Sequence, residues 1–132
     1  MSGPARRTAS LLKAARAVRR RAHAPYSKFS VGAAVLDERG RVHVGCNLEN
    51  ASYGLTVCAE RNAIAAAVAA GARRIRAVAV ATDAAPPASP CGACRQVIAE
   101  LGSADTEILL AGVTGAAEHT TLGALLPRAF SL

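Results

Sequence analysis

The stretch that decides the fold is residues 75–101, which read IRAVAVATDAAPPASPCGACRQVIAEL. Residues 75–82 alternate apolar side chains as a β-strand does, and residues 83–90 contain three prolines, which is typical of a loop. Residues 91–101 predict a helix, and residues 107–111 predict a short buried strand. A strand, a helix and a second strand in this order predict parallel pairing through a right-handed crossover.

The segments on either side extend this pattern to the whole chain. Further helices are predicted at residues 4–23, 57–70 and 122–126, and further strands at residues 30–37, 41–46 and 119–121. The turn at residues 37–40 joins the first two strands into a hairpin, residues 47–56 form a polar loop, and Gly71 closes the second helix. We therefore predict an α/β fold in one domain, residues 1–132: a three-layer α-β-α sandwich with a mixed sheet.

The composition is that of a globular protein. Of the 132 residues, 52% are apolar and 19% are charged. No apolar stretch approaches the ~20 residues of a membrane-spanning helix, so we expect no membrane partner. With no clear export signal, we expect a cytoplasmic location, where the four cysteines stay reduced and are metal ligands rather than disulfides.

The net charge of +7 is unevenly distributed, because seven of the sixteen basic residues lie at or before Arg21 and no acid precedes Asp37. One interpretation is a nucleic-acid arm, and an Arg-rich start also resembles a mitochondrial presequence. The favoured interpretation is the solvated face of a docked helix, since apolar residues recur at helical spacing. These are Leu11, Leu12, Ala15, Val18 and Ala22. We therefore expect no nucleic-acid partner.

Three cysteines and one glutamate predict a catalytic zinc site. Cys91 and Cys94 lie on one face of a helical turn, and Cys58 comes from the first turn of another predicted helix. Three thiolates leave the fourth tetrahedral position for water, which distinguishes a catalytic zinc from a structural one. Glu60 follows Cys58 by two residues and can reach past the same helix end to accept a proton from that water.

Other interpretations of these residues remain open at this point. Cys46 could be a fourth ligand that closes a structural site, although it is better explained as a small buried residue at a strand end. Cys91 and Cys94 could form a redox pair, which would leave Cys58 and Glu60 unexplained. The three histidines are not expected to be ligands.

The sequence as a whole resembles the small homotetrameric zinc-dependent cytidine deaminases. The resemblance rests on HAPYSKFSVGAA at 23–34, GCNLENASYG at 45–54, CAER at 58–61, SPCGACRQ at 89–96, LLP at 125–127 and Phe130, in this order. One departure is Ser30, where many relatives carry proline. The resemblance implies a cytidine deaminase-like fold, one Zn²⁺ per chain, a homotetramer, and hydrolytic deamination of free cytidine and deoxycytidine in pyrimidine salvage.

Basic and amide side chains near the cysteines are candidates for tuning the cluster. Arg61 is three residues from Cys58 and Arg95 is four residues from Cys91, so each can turn back toward a sulfur. The alternative for each arginine is a solvent-exposed side chain with no part in the metal site. Gln96 is a candidate for orienting the cluster.

Asn47 and Glu49 alternate around Leu48, so in an extended segment they point the same way and suit a sugar hydroxyl. The resemblance assigns them to the ribose 3′-hydroxyl, and the alternative is a polar loop that caps the second helix. The resemblance further places Phe29, Ala59, Tyr53 and Phe130 in substrate binding. For Phe130 it implies that the ring closes the pocket of a neighbouring subunit, and the alternative is that the ring packs on its own core.

Two other functions stay open on sequence alone. The first is deamination of blasticidin S or of a base within a nucleic acid, and residues 47–50 argue against it because a grip on the 3′-hydroxyl leaves no room for a continuing strand. The second is a zinc-stabilised RNA-binding module that uses the basic first helix.

Overall fold

A computed structural model describes residues 2–132, with a five-stranded sheet and four α-helices. The helices are α1 (Gly3–Arg19), α2 (Ala59–Ala69), α3 (Gly92–Leu101) and α4 (Leu122–Leu125). The strands are β1 (Gly32–Asp37), β2 (Val42–Cys46), β3 (Ile75–Ala81), β4 (Glu107–Ala111) and β5 (Glu118–Thr121). A 3₁₀ turn, Tyr53–Leu55, lies inside the loop predicted at residues 47–56.

The predicted elements are confirmed, and the largest difference is the end of the first helix. The helix was predicted to run to His23, but α1 ends at Arg19, and the amides of Arg20 and Arg21 still bond to carbonyls of its last turn. His23 instead pairs with the segment after β2: its amide donates to Asn47 O at 3.0 Å, and its carbonyl accepts from the Glu49 amide at 2.8 Å. Helix α1 therefore ends early because the backbone of His23 makes hydrogen bonds to residues 47 and 49 instead of continuing the helix.

The strand order in the sheet is β2-β1-β3-β4-β5. The hairpin prediction is confirmed by antiparallel pairing of β1 with β2, and the parallel prediction is confirmed for β3 with β4. Strands β2 and β3 run in the same direction but are not neighbours, because β1 lies between them and pairs antiparallel with both. The sheet is therefore mixed, as predicted, with one parallel pair at its centre.

Two apolar cores lie on opposite faces of this sheet and make the three layers. On one face, α1 contributes its buried residues Leu11, Leu12 and Ala15, which meet alanines of β3 and leucines of β1 and β4. On the other face, α2, α3 and α4 pack on Val35, Val78 and other branched residues of the strands. The predicted stripe of α1 is confirmed at its centre, while Val18 is only half-buried.

Small residues allow the helices to lie close to the sheet. A Cβ atom at Gly45 of β2 would meet Ala63 N of α2 at 2.3 Å, and a Cβ at Gly32 of β1 would meet Ala15 O of α1 at 2.1 Å. Both glycines have backbone contact where any side chain would clash. Gly45 fixes the height of α2 above the sheet, and Gly32 fixes the C-terminal end of α1 against the start of β1.

The candidate zinc ligands, Glu60, Asn47 and Glu49 lie toward one end of this sandwich, where α2 and α3 begin and β3 ends. This is the usual location of a binding crevice in an α/β sheet. Within residues 2–132, no helix has the length and apolar character needed to cross a membrane.

Candidate active site

The N-termini of α2 and α3 bring three cysteine sulfurs together. Cys58 is the N-cap of α2, Cys91 is the N-cap of α3, and Cys94 lies in the first turn of α3. The Sγ atoms of Cys58 and Cys91 are 4.0 Å apart, those of Cys91 and Cys94 are 3.5 Å apart, and all three lie within 4.8 Å of one another. Neither N-cap side chain makes the usual capping hydrogen bond to the backbone of its own helix, so both sulfurs are left to face each other.

This arrangement fits a tetrahedral zinc ion. Zn–S bonds of ~2.3 Å place tetrahedral sulfurs about 3.8 Å apart, which the distances of 3.5 and 4.0 Å bracket. Among residues 2–132, the group of possible ligands at this point contains these three cysteines and does not include Cys46 or a histidine. The three-ligand prediction therefore matches the geometry, and one tetrahedral position stays open.

The charges at the cluster also indicate a cation. The pKa of the Cys58 thiol is lowered to about 5, first because the Cys94 thiol donates a hydrogen bond to it and then because of the Arg61 guanidinium. The pKa of Cys94 is raised far above its usual value by the same bond and by burial. Ionisation of one cysteine therefore makes ionisation of its neighbours less favourable. All three cysteines can be thiolates together only when a bound cation offsets their negative charges.

Glu60 is buried beside this cluster, with 5% of its surface exposed. Burial raises the pKa of its carboxyl, and the negative charge of Cys58 raises it further. A carboxyl group of this kind binds and releases a proton close to neutral pH more readily than an exposed one. Its position in the first turn of α2 agrees with the predicted reach past the helix end.

Arg61 contacts the cluster as predicted. Its Nη2 donates to Cys58 Sγ at 3.4 Å, and its Nε is buried with no hydrogen-bond partner among residues 2–132. The proximity of the thiols raises the already high pKa of this guanidinium, so its positive charge is fixed. This charge offsets part of the excess negative charge of three thiolates.

Arg95 does not contact a sulfur, so its prediction as a residue turning back toward the cluster is wrong. Its three donor groups bind Pro90 O at 2.7 Å, Ser89 Oγ at 2.7 Å and Leu125 O at 2.6 Å. These groups lie one or two residues before Cys91 or at the end of α4, and the planar guanidinium reaches all of them at once. Arg95 therefore braces the loop that delivers Cys91 instead of touching its sulfur.

Gln96 also differs from the sequence prediction. Its Nε2 donates to the carbonyl of Phe130 at 3.1 Å, so it holds the C-terminal segment and not the cysteines. The neighbouring residues Arg95 and Gln96 thus bind two points of the chain after β5. No spacing rule relates residue 96 to residue 130, which explains why the sequence did not indicate this contact.

Asn47 and Glu49 bind the backbone of residues 26–31. Asn47 is buried, accepts from Val31 N at 2.9 Å and donates to Phe29 O at 2.8 Å. Glu49 accepts from Tyr26 N at 2.9 Å, from Ser27 N at 3.2 Å and from the Ser27 hydroxyl. They do not cap α2, whose N-cap is Cys58.

Both side chains retain hydrogen-bonding capacity after these contacts. The Asn47 amide has a second N–H, and a carboxylate has about four lone-pair sites, of which three are used at Glu49. Hydrogen bonds from Ser27, its hydroxyl first, keep the pKa of Glu49 below its usual value, so the group is an anion at neutral pH. A sugar hydroxyl can therefore still donate to Glu49 and accept from Asn47.

A cavity of about 250 Å³ connects this pair with the cysteine cluster. Its lining includes most of the residues expected at a nucleoside site, namely Phe29, Asn47, Glu49, Cys58, Ala59, Glu60 and Cys91. The Phe29 ring forms a wall of the cavity and is 37% exposed, so it is not a core residue.

Tyr53 and Phe130 do not line the cavity of their own chain. Tyr53 is 74% exposed and meets the edge of Tyr26 with ring centroids 6.0 Å apart, in a groove that adjoins the cavity at Ser27, Glu49 and Thr56. Phe130 is 70% exposed. The alternative in which Phe130 packs on its own core is therefore wrong.

The sequence did not single out three polar residues that shape the cavity. Ser27 links Glu49 to the Phe29 amide, which donates to its hydroxyl at 3.0 Å, while Thr82 and Ser89 also line the cavity. Ser27 and Ser89 lie inside the quoted motifs, but a serine in a loop carries no spacing signal. The histidines are elsewhere, as expected: His43 binds Asp37 at 2.8 Å and His119 lies 3.5 Å from Glu107.

Comparison with known proteins agrees with this site. Residues 6–110 match the family model described as the cytidine and deoxycytidylate deaminase zinc-binding region. A cytidine deaminase of Sporosarcina psychrophila is 49% identical over 92% of this chain and 89% of its own length. One of Halalkalibacterium halodurans is 50% identical over 92% of both chains.

Solved structures give the same result for the fold. The crystal structure of a cytidine deaminase from Burkholderia pseudomallei superposes with a TM-score of 0.89 at 48% identity, covering 98% of this chain and all of the other. That of Mycobacterium tuberculosis superposes with a TM-score of 0.83 at 41% identity, covering 95% and 98% of the two chains. The chain therefore belongs to the cytidine and deoxycytidylate deaminase zinc-binding family.

Proposed function

We propose that this chain, acting as one domain over residues 1–132, hydrolyses free cytidine and deoxycytidine to uridine or deoxyuridine and ammonia. The observation that carries the proposal is one cavity with the three-sulfur cluster and Glu60 at one end and Asn47 and Glu49 at the other. The relatives named as cytidine deaminases support the same reaction. A place in pyrimidine salvage and a cytoplasmic location are part of the proposal.

We propose that Cys58, Cys91 and Cys94 hold one Zn²⁺, which would supply the nucleophile by lowering the pKa of a water ligand. Glu60 takes the proton of this water and delivers it to N3 of the pyrimidine as the new C–O bond forms at C4. Glu60 then receives the remaining hydroxyl proton and passes it to the amine, so that the C4–N bond breaks and ammonia leaves. Glu60 is buried, and burial raises the pKa of its carboxyl, which favours its proton-bound form between the two transfers.

The pyrimidine and the ribose are held at separate points of the cavity. Backbone groups near Ala59 and Cys91 would contact the base and the Phe29 ring would pack against it, a proposal supported by the fact that all three residues line the cavity. Asn47 and Glu49 hold the 3′-hydroxyl, and the negative charge of Glu49 disfavours a phosphate at that oxygen. Free nucleosides are therefore better substrates than nucleotides or a continuing nucleic-acid strand.

A homotetramer is the assembly that we propose. Phe130 and Tyr53 are two large aromatic residues that the fold leaves exposed, although only four of the 132 residues are aromatic. In a homotetramer Phe130 would complete the cavity of a neighbouring subunit, as the resemblance implies. Gln96 holds the carbonyl of Phe130, which fixes where the ring leaves its own chain.

The structure of the first helix does not support the alternative of an RNA-binding module. Arg16 binds the carbonyls of Gly112 and Gly115, and Arg19 binds Ser30 O and Asp83, so two of its basic residues are engaged within the fold. No observation favours blasticidin S as a substrate over cytidine.

Replacing Glu60 tests the proposed chemistry. Glu60→Gln is nearly isosteric but cannot carry the proton, so turnover of cytidine should fall by ~10²–10⁴ or more while about one zinc per chain remains. Turnover is measured from the fall in ultraviolet absorbance of cytidine, and the zinc content is measured by metal analysis. Glu100→Gln, on the exposed part of α3, is the matched control and should keep normal activity. Near-normal turnover in Glu60→Gln would contradict the role of Glu60.

The ribose contact is tested by pairing a variant with a modified substrate. With the native chain, 3′-deoxycytidine should have a kcat/KM about 10- to 100-fold below that of cytidine, because Glu49 loses a charged hydrogen bond. In Glu49→Gln the ratio of kcat/KM for cytidine to kcat/KM for 3′-deoxycytidine should be at least fivefold smaller than in the native chain, because the carboxylate charge is gone. Asn47→Ala is a poorer test, because Asn47 also braces residues 29 and 31. Equal use of both substrates by the native chain would overturn the assignment.

Shortening the C-terminus tests the shared site. Removal of residues 130–132 should raise KM for cytidine strongly with zinc content unchanged, whereas removal of residues 131–132 alone should change little. The chain lacking residues 130–132 should recover part of its activity when it is co-expressed with Glu60→Gln. In mixed tetramers the intact C-terminus of a Glu60→Gln subunit would complete the intact zinc site of a truncated subunit. A native chain that is fully active as a monomer in dilute solution would contradict the proposed assembly.

A further inference from the structure

The last residue of α1, Arg19, joins two loops that are far apart in the sequence. Its Nε donates to Ser30 O at 3.0 Å, and its Nη2 lies 3.5 Å from Asp83 Oδ2. The side chain is largely buried, with 19% of its surface exposed. One guanidinium therefore ties the segment before β1 to the loop after β3.

Both loops contribute to the lining of the nucleoside cavity. Ser30 lies between Phe29 and Val31, which both line the cavity, and Asp83 directly follows Thr82, which also lines it. Val31 and Thr82 lie next to the paired residues Gly32 of β1 and Ala81 of β3. Asn47 holds residues 29 and 31 from the inside of the cavity, and Arg19 holds residue 30 from the outside. The segment is thus fixed from both sides.

The position of Arg19 follows from the packing of α1. Gly32 lets the C-terminal end of α1 lie directly against the start of β1, since a Cβ there would come within 2.6 Å of Arg19 N. A basic residue is also favoured in the last turn of a helix, where the carbonyl groups carry partial negative charge. At this end of α1, one of the many basic residues of the helix therefore makes specific contacts within the fold.

We propose that Arg19 is a positioning residue that holds the segment before β1 and the loop after β3 in place where they line the nucleoside cavity, a role that rests on the proposed function. It touches neither the substrate nor the cysteines, and it acts through the carbonyl of Ser30 and the carboxylate of Asp83. Loss of the side chain loosens the grip on the nucleoside and leaves the zinc chemistry in place.

Arg16 provides a matched control on the same helix. It lies one turn earlier and also binds backbone carbonyls, with Nε donating to Gly112 O at 3.0 Å and Nη2 donating to Gly115 O at 2.6 Å. That loop does not contribute to the lining of the cavity. Arg16 and Arg19 are therefore alike in chemistry and differ in the loop that they hold.

The test compares steady-state kinetics of the zinc-loaded variants. Arg19→Ala should raise KM for cytidine about 5- to 20-fold with kcat within twofold of native, as expected for loss of a charged hydrogen bond that positions the site. Arg19→Lys should recover part of the loss, because an ammonium group can reach one of the two partners. Arg16→Ala should keep KM within twofold, and Asp83→Asn should have a smaller effect than Arg19→Ala because the ion pair is exposed.

Hydrogen exchange of the same proteins makes the test independent of activity. Arg19→Ala should speed exchange in residues 26–31 and 83–90 and not in residues 112–117, and Arg16→Ala should do the reverse. A native chain without deaminase activity would refute the proposed function, while the exchange pattern would still decide the role of Arg19. An Arg19→Ala variant with native KM, or one whose KM changes no more than that of Arg16→Ala, would overturn the proposal.

Discussion

The site depends on the meeting of two helix N-termini, which places the sulfurs of Cys58, Cys91 and Cys94 within 4.8 Å of one another. Helix N-termini carry partial positive charge, and Arg61 adds a full one, so thiolates are stabilised where they would otherwise repel. Helix α2 reaches this point because Gly45 lets it lie close to β2. The loop before Cys91 reaches it because Arg95 holds Ser89 and Pro90.

The nucleoside end of the cavity is built from backbone that side chains hold in place. Ser27, Asn47 and Glu49 bind residues 26–31 from within, and Arg19 binds the same segment from outside. Groups that bind a ribose hydroxyl thus also shape the loop that carries Phe29. Binding and loop structure are coupled at this end, whereas the cysteine cluster is positioned by the N-termini of two helices.

Much of the fold could be predicted from sequence because its signals are local. Alternation in residues 75–82, the turn at 37–40 and Gly71 each indicate an element without knowledge of the rest. The early end of α1 was missed, because His23 pairs with residues 47–49 across a distance in sequence that no local pattern records. The insertion of β1 between β2 and β3 was missed for the same reason.

For the site, the contact of Arg61 with the cluster could be predicted from sequence, whereas the partners of Arg95 and Gln96 could not. Cys58, Glu60 and Arg61 are neighbours in the chain, so their spacing indicates their chemistry. Arg95 has the same kind of spacing, but backbone carbonyls at Pro90 and Leu125 compete for its guanidinium more closely than any sulfur does. Sequence spacing shows which contacts a long side chain can make, and packing decides which of them it makes.

The central claim is that three thiolates hold a zinc ion with one open position. X-ray absorption spectroscopy at the zinc edge of the purified chain tests it most directly. The account predicts three sulfur neighbours at ~2.3 Å and one oxygen or nitrogen neighbour at ~2.0 Å, with an unchanged spectrum in Cys46→Ala. Four sulfur neighbours, or a spectrum that changes when Cys46 is replaced, would contradict it.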